Sequence, residues 1–269
     1  MKHILATTAV AICVSSPAFA DVTIKSVMDG AALGFGGKTP GITYIKGNKM
    51  RSDADLGKSV QSTIFDLDAQ KMYFFDSRKN EVEVWDMAAF AAELNSAVDT
   101  SGMKTSFAPN EQTKEIGGQK AEGYNVEMSV PFAMGGAGGP PMMLTMSGVA
   151  WVVKGAPGTA EYAQFYKAAA EKGWIFSHPS AANSQPGQAR AMAEMYREVA
   201  ALGGIPYEMD MDMQIKMGEV GMNPLGLLGA LRGRSGNGLM TTIVESIETG
   251  ALSDDLFTAP AGHKLVPKN

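Results

Sequence analysis

Methionine is the residue type whose number and spacing suggest chemistry in this chain. Of its 19 methionines, Met209, Met211 and Met213 alternate with aspartates, and three more lie between residues 142 and 146. Thioether sulfur binds Cu(I), so a Met-x-Met-x-Met run admits a copper-binding interpretation. Methionine is also a flexible apolar filler, and alternation along a strand would place these side chains on one dry face. We favour a core or cavity wall over a metal site.

Hydrolytic and hard-cation chemistry have little local support. Beyond the first 20 residues there are two histidines, His178 and His263, and no serine lies in a G-x-S-x-G motif. A Ser-His-Asp site could still assemble from distant residues, because such triads are recognised by geometry. Asp210 and Asp212 lie on the wet face of an alternating strand, where carboxylates without a defined third ligand are more typical of a solvated surface than of a cation site. The sequence therefore predicts a non-enzymatic protein without metal or cofactor.

The first 20 residues have the pattern of a secretory signal peptide. Lys2 supplies the positive start, residues 4–14 form a short apolar run, and Ala18-Phe19-Ala20 is a small-x-small cleavage site. We expect cleavage between Ala20 and Asp21 and a periplasmic or secreted product. The only cysteine, Cys13, lies inside this segment. Residues 21–269 therefore contain no thiol for catalysis, metal binding or disulfides, and their stability has to come from burial.

Charge and hydropathy restrict the partners. The chain carries 23 lysines and arginines against 28 aspartates and glutamates. This acidic balance argues against nucleic acid as a main partner. No apolar run after the signal is long enough to cross a bilayer, so no transmembrane segment is expected after cleavage.

Residues 205–217 give the clearest structural signal, because apolar and polar residues alternate throughout. This pattern predicts a long strand with one dry face and one wet face, in a large antiparallel sheet. The apolar positions are Ile205, Tyr207, Met209, Met211, Met213, Ile215 and Met217.

The rest of the chain predicts further one-sided strands and three helices. Residues 42–86 predict three or four strands, with the clearest hairpin at 72–75 and 81–85, and residues 103–107 and 113–116 predict two more. Asp86 is predicted to cap a helix, and apolar residues recur at helical spacing after it, between residues 158 and 172 (including Tyr166), and between residues 188 and 202 (including Tyr196). The last two segments stop at glycines. The predicted fold is mainly β (α+β): a curved antiparallel sheet or half-open barrel with helices packed over its concave face. Residues 21–269 are expected to form one domain.

A candidate ligand cavity follows from the dry face of the long strand. Residues 225–231 are leucine-rich and broken by glycines, and they predict either a mobile apolar flap over a cavity or an ordinary loop helix packed on the core. A methionine-lined cavity would adapt to ligands of variable shape. The candidate wall residues are Tyr207, Met209, Met211, Met213, Ile215, Trp151, Leu227 and Leu228.

Several short motifs in a fixed order carry a resemblance to a known family. They are residues 47–53 (GNKMRSD), a strand-turn-strand pattern at 64–75, residues 116–124 (IGGQKAEGY), a strand centred on Trp151, and the closing residues 256–264. In this order they resemble the exported bacterial domain-of-unknown-function family DUF4412 and, more distantly, the periplasmic lipoprotein carriers LolA and LolB. The similarity runs over roughly residues 22–266.

The resemblance implies a LolA-like half-barrel with helices across its mouth and an apolar cavity suited to acyl chains. It carries over no catalytic residue. We therefore expect an exported, non-enzymatic binding protein for a lipid or lipoprotein ligand. Two alternatives stay open: a structural or assembly protein of the cell envelope with a solidly packed barrel, and, third, a methionine-rich copper-binding protein or a hydrolase.

Overall fold

The computed structural model of the chain describes residues 20–30, 38–97, 102–133, 141–174, 176, 186–217 and 238–268. Within this part, 12 strands form a single sheet that does not close on itself. The strands are β1 (Val22–Gly30), β2 (Lys38–Lys46), β3 (Lys49–Asp55), β4 (Val60–Asp66), β5 (Lys71–Asp76), β6 (Glu81–Asp86), β7 (Lys104–Ile116), β8 (Gln119–Ala133), β9 (Pro141–Lys154), β10 (Gly204–Met217), β11 (Gly238–Thr249) and β12 (Lys264–Lys268). The predicted mainly β class, with a curved sheet and helices, is confirmed.

Strand order shows how the chain builds this sheet. The order is β12-β6-β5-β4-β3-β2-β1-β11-β10-β9-β8-β7, so β1 to β6 and β7 to β11 form two runs in which strands consecutive in sequence are neighbours, and these runs meet at the β1–β11 pair. Neighbouring strands are antiparallel except that β12 runs parallel to β6. The sheet is therefore mixed at one edge, where the sequence predicted antiparallel pairing only.

Three helices accompany the sheet in the described part: α1 (Met87–Ala97), α2 (Thr159–Glu171) and α3 (Pro186–Ala201). The predicted cap of α1 is confirmed, because the Oδ1 of Asp86 accepts hydrogen bonds from the backbone N–H groups of Ala88 (3.1 Å) and Ala89 (3.0 Å). Helix α2 ends at Gly173, whose φ of 70° lies in the left-handed region that glycine tolerates. The next N–H, of Trp174, bonds back to the carbonyl of Ala169 at 3.0 Å.

The largest apolar cluster lies between the concave face of the sheet and the helices. It joins Met50, Phe65 and Met72 on the first half of the sheet to Phe165 of α2 and to Trp174. Since α2 buries Tyr162, Phe165, Tyr166 and Ala169 on one stripe, its amphipathic pattern is what binds it to the sheet. No helix in the part that the structure covers is both long and apolar enough to span a bilayer.

The convex face of the first half is covered by the C-terminal tail. A 3₁₀ turn at Asp254–Phe257 inserts the buried Phe257 among Ile64, Phe75 and Val82. Beyond it, β12 adds to the edge of the sheet. This tail strand is missing from the sequence-based expectation, because five residues with two lysines and a proline have no alternating apolar pattern.

The remaining differences concern strand number and continuity. Five strands, not three or four, occupy residues 38–86. The two strands expected within residues 103–116 are one strand, β7, with an irregularity between Pro109 and Thr113. A bulge absorbs extra residues without ending a strand, so the polar residues between Pro109 and Thr113 have the composition of a turn although the strand continues through them. The glycine-rich bend predicted at residues 34–37 and the leucine-rich segment 225–231 lie outside the described residues, as does the loop predicted at 135–141 except Pro141, which begins β9.

Candidate ligand cavity

A cavity lies between the first half of the sheet and the helices, and its floor is a row of hydroxyls. Thr43 of β2, Ser52 of β3 and Thr63 of β4 are direct partners in the strand register. Adjacent strands lie about 4.8 Å apart, so the three residues form one continuous row. All three are half-buried and line the cavity. Within the described residues, no side chain or backbone group forms a hydrogen bond with these hydroxyls.

The floor is positioned by the tight turn between β2 and β3. Gly47 has a φ of 54°, which lets the chain reverse in two residues and fixes the register of the hairpin. Alternation then places Met50 and Ser52 on the concave face and Arg51 on the convex one. Met50 is buried and lines one end of the cavity beside Phe65.

Aromatic rings form the roof. The rings of Tyr166 on α2 and Tyr196 on α3 are stacked, with centroids 5.0 Å apart and planes at 14°. Phe176 meets both rings edge-on, at 5.1 Å from each centroid. It also meets the ring of Phe65 at 5.2 Å, which ties the roof to the sheet. Such ring pairs contribute about 0.5–1.5 kcal/mol each beyond their buried area, so the roof is an ordered surface.

The tyrosines of the roof remain neutral over the physiological range. Burial raises the pKa of Tyr166, and neighbouring Tyr162 and Tyr196 raise it further. Burial likewise raises the pKa of Tyr196. The Tyr166 hydroxyl donates to the sulfur of Met50 at 3.6 Å, which is the polar link between α2 and the floor. The roof is therefore a neutral surface.

The cavity holds about 160 Å³. This is close to the roughly 150 Å³ of an engineered protein cavity that accepts one benzene ring, and below the ~300–1,000 Å³ of drug-sized sites. Its two walls differ in chemistry: the sheet side carries a row of hydroxyls, and the helix side carries aromatic rings. Covering a hydroxyl without giving it a partner costs about 1–3 kcal/mol, so the floor favours a ligand that can hydrogen-bond.

The methionines that the sequence singled out lie elsewhere, in a filled part of the interior. Met209 is 8% exposed and Met211 is 1% exposed. Both belong to a cluster in which Met195 of α3 packs against the second half of the sheet. Tyr207 is buried in the large cluster beneath α2, and it is the extra residue of a bulge in β10 between Pro206 and Glu208. The structure therefore separates Tyr207 from the two methionines.

Trp151 lies among polar side chains. In the register it opposes Glu208, whereas Met209 opposes Ala150, so Trp151 and Met209 are on different faces. The ammonium of Lys114 lies 4.3 Å from the centre of the Trp151 ring and forms an ion pair with Glu208 at 2.6 Å. Trp151 is also partly buried against the large apolar cluster, so this cation-π contact lies at the edge of that cluster.

The other predicted wall residues cannot be placed in a site. The backbones of Met213 and Ile215 are part of β10, but their side chains lie outside what the structure describes, as do Leu227 and Leu228 entirely. None of the placed candidates is among the residues that line the cavity.

The acidic groups opposite the methionines are engaged in polar contacts. Asp210 accepts a hydrogen bond from the hydroxyl of Thr241 at 2.8 Å, and Asp212 accepts one from the amide of Gln214 at 3.0 Å. In the part of the chain that is described, no three His, Cys, Asp or Glu residues are grouped as metal ligands would be.

Sequence reasoning missed the cavity because each of its signals is ordinary. Thr43, Ser52 and Thr63 occupy alternate positions in strands that also carry other polar residues. Helical spacing places Tyr166 and Tyr196 on the apolar stripes of their helices. An apolar stripe does not reveal which strand the helix will pack against. Register across three strands is what brings the hydroxyls together.

Comparison with protein-family models and with curated proteins finds no match for the chain.

Proposed function

We propose that the protein is an exported, non-enzymatic binding protein that holds a lipid or lipidated partner between the concave face of its sheet and the helices α2 and α3. The observation that carries this proposal is the cavity at that place, with ordered aromatic rings on one side and a row of half-buried hydroxyls on the other. The resemblance of the sequence motifs to LolA-like carriers supports the same location. The open sheet, with edges at β7 and β12, leaves its concave face to be covered by helices.

The nature of the helix layer also supports this function. Tyr166 and Tyr196 both line the cavity, and the contacts that hold them among the described residues are ring contacts and a thioether hydrogen bond, not ion pairs. Separating such contacts leaves no unpaired charge, so admitting a ligand costs only apolar and ring contacts, about 0.5–1.5 kcal/mol for each ring pair. A carrier requires a layer that closes again over an empty site, which the aromatic contacts provide.

The test is native mass spectrometry of the protein purified gently from the compartment to which it is exported, followed by organic extraction and identification of released species. A co-purifying lipid or acyl species is expected. A cavity-filling variant, Ser52→Met, should release it, whereas Ser147→Met on the exposed surface of β9 should retain it. Vacant protein that no offered lipid stabilises against heat would contradict the proposal.

A structural or assembly role is the second candidate, and one observation favours it. Met128 and Met146 are each 1% exposed and Met195 is 0% exposed, so the interior under α3 is filled like a core. A protein with this role would bind no lipid and would depend on its outer surface. In the same experiment, neither the unmodified protein nor Ser52→Met would then carry a bound species, and the substitution would leave function unchanged.

A further inference from the structure

The cavity that carries the proposed function also restricts the chemistry of its ligand, and charge gives the first restriction. Among the described residues its lining consists of Thr43, Ser52, Thr63, one methionine and four aromatic residues, and none of these side chains is a cation or an anion. A phosphate or carboxylate placed against them would lose its hydration without gaining a counter-charge, which is strongly unfavourable. The described lining therefore disfavours a charged head group at this site.

Hydrogen bonding gives the second restriction. Each floor hydroxyl both donates and accepts, so the row of three best matches a ligand with several hydroxyls of its own. A plain hydrocarbon chain would pack well against Tyr166 and Phe176 but would displace water from the floor and return no hydrogen bond. The difference between the two walls therefore disfavours an acyl chain at this position.

Shape gives the third restriction. The stacked rings of Tyr166 and Tyr196 and the edge-on ring of Phe176 present an apolar surface opposite the polar row. The space of about 160 Å³ between them accepts one six-membered ring. A sugar ring has hydroxyls around its rim and an apolar C–H face, which matches both walls at once.

We propose that this cavity binds a single neutral, polyhydroxylated ring, with its hydroxyls on Thr43, Ser52 and Thr63 and its C–H face against the aromatic roof. This inference rests on the proposed function for the location of the site. The ring belongs either to the head group of a glycolipid or to a free sugar, and the two sources share the same recognition chemistry.

The experiment measures binding of three probes to the full mature chain by isothermal titration calorimetry, below the micelle concentration of each detergent. Octyl glucoside has the ring and a chain, octyl phosphocholine has the same chain with a charged head, and glucose has the ring alone. We expect octyl glucoside to bind at least about tenfold more tightly than octyl phosphocholine. A triple variant, Thr43→Val, Ser52→Ala and Thr63→Val, should lose about tenfold or more of this affinity, since three hydrogen bonds are removed.

The control is Thr105→Val in β7, a half-buried strand threonine outside the cavity whose hydroxyl has no partner in the described part of the chain. It should leave all three affinities unchanged. The comparison of probes on the unmodified protein does not depend on any variant being folded.

The outcomes separate this inference from the proposed function. Equal affinity for the two detergents, unaffected by the triple variant, would overturn the sugar-ring inference while leaving a lipid carrier in place. Binding of glucose as tight as that of octyl glucoside would support the ring and contradict the lipid function. Absence of binding by all three probes would overturn the inference, and the lipid extraction described above then decides the function alone.

Discussion

Arg51 shows how one side chain joins the two ends of the domain. Its guanidinium forms an ion pair with Asp53 at 2.8 Å, donates to the backbone carbonyl of Leu256 at 3.2 Å and lies over the ring of Phe75 at 5.5 Å. Its neighbours in sequence, Met50 and Ser52, line the cavity on the other face of the sheet. The short motif around Arg51 therefore acts on both faces of the sheet.

Replacement of Arg51 by alanine should destabilise the protein by about 1–3 kcal/mol, because a partly buried carboxylate and a carbonyl lose their donor. Urea unfolding would measure the loss, and limited proteolysis should show earlier cleavage near Leu256. Lys58→Ala, in the exposed turn after β3, removes one positive charge without these contacts and should change stability little. An equal effect of the two variants would refute this role of Arg51.

Protonation of Asp76 should lower the stability of the fold at acidic pH. Hydrogen bonds from the Arg78 side chain and backbone, with a further one from Ser59, lower the pKa of Asp76 to about 2. A carboxylate whose pKa is lower in the folded state stabilises the fold above its unfolded value, near 3.8, and this contribution disappears as the pH falls to about 2.

We therefore expect Asp76→Asn to be less stable than the unmodified protein at pH 6 and closer to it at pH 2. Chemical denaturation at the two pH values would measure the difference, and comparison of the two proteins cancels the titration of other carboxylates. If the difference in unfolding free energy between the two proteins is the same at pH 2 and pH 6, Asp76 acts through its shape and not through its charge.

Among the elements, the pairing of β9 with β10 depends on one glycine. Gly148 opposes Met211 in the register, and a Cβ atom at this position would overlap the carbonyl oxygen of Asp210. The two strands approach closely here because one of them has no side chain, and this lets Met211 fill the space.

Gly148→Ala should therefore cost about 2 kcal/mol, because β9 and β10 must separate or shift. Thermal unfolding followed by circular dichroism would report it. The matched change is Gly41→Ala in β2, where the added Cβ would lie 3.4 Å from the carbonyl oxygen of Asp53, an acceptable contact. If Gly148→Ala and Gly41→Ala unfold at the same temperature, the close approach of β9 and β10 at Gly148 does not determine the stability of the protein.

Prediction from sequence succeeded where the signal is local. The hairpin of β5 and β6, the cap at Asp86 and the helix stop at Gly173 depend on neighbouring residues, and each has a strong pattern. The bulge near Pro206 in β10 was missed because alternation continues through it. The site was missed for a different reason: the docking of α2 and α3 onto particular strands is a long-range outcome that periodicity does not encode.

For the whole molecule, the C-terminal tail closes the first half of the sheet. Its Leu252 N–H bonds to the carboxylate of Asp21 at 2.7 Å, and Phe257 fills the convex face. Further along, β12 covers the outer edge of β6. The tail therefore protects both an apolar face and a strand edge.

A chain that ends at Gly250 should expose that face and that edge, and it should melt earlier and self-associate. Size-exclusion chromatography with light scattering would detect the association. A chain that ends at Gly262 keeps the 3₁₀ turn but loses β12, so it should keep the apolar cover and lose only the edge protection. If both truncated chains are monomeric and as stable as the full chain, the tail is dispensable.

The position of β1 in the middle of the sheet determines the order in which the chain folds. β1 pairs with β2, its neighbour in sequence, and with β11, from which it is separated by most of the chain. The hairpins from β2 to β6 close short loops and form quickly, whereas the β1–β11 seam closes a very long one. During N-to-C synthesis, one edge of β1 stays unpaired until β11 arrives. In that interval the nascent chain is open to pairing with other copies, and its yield depends on how fast the seam closes.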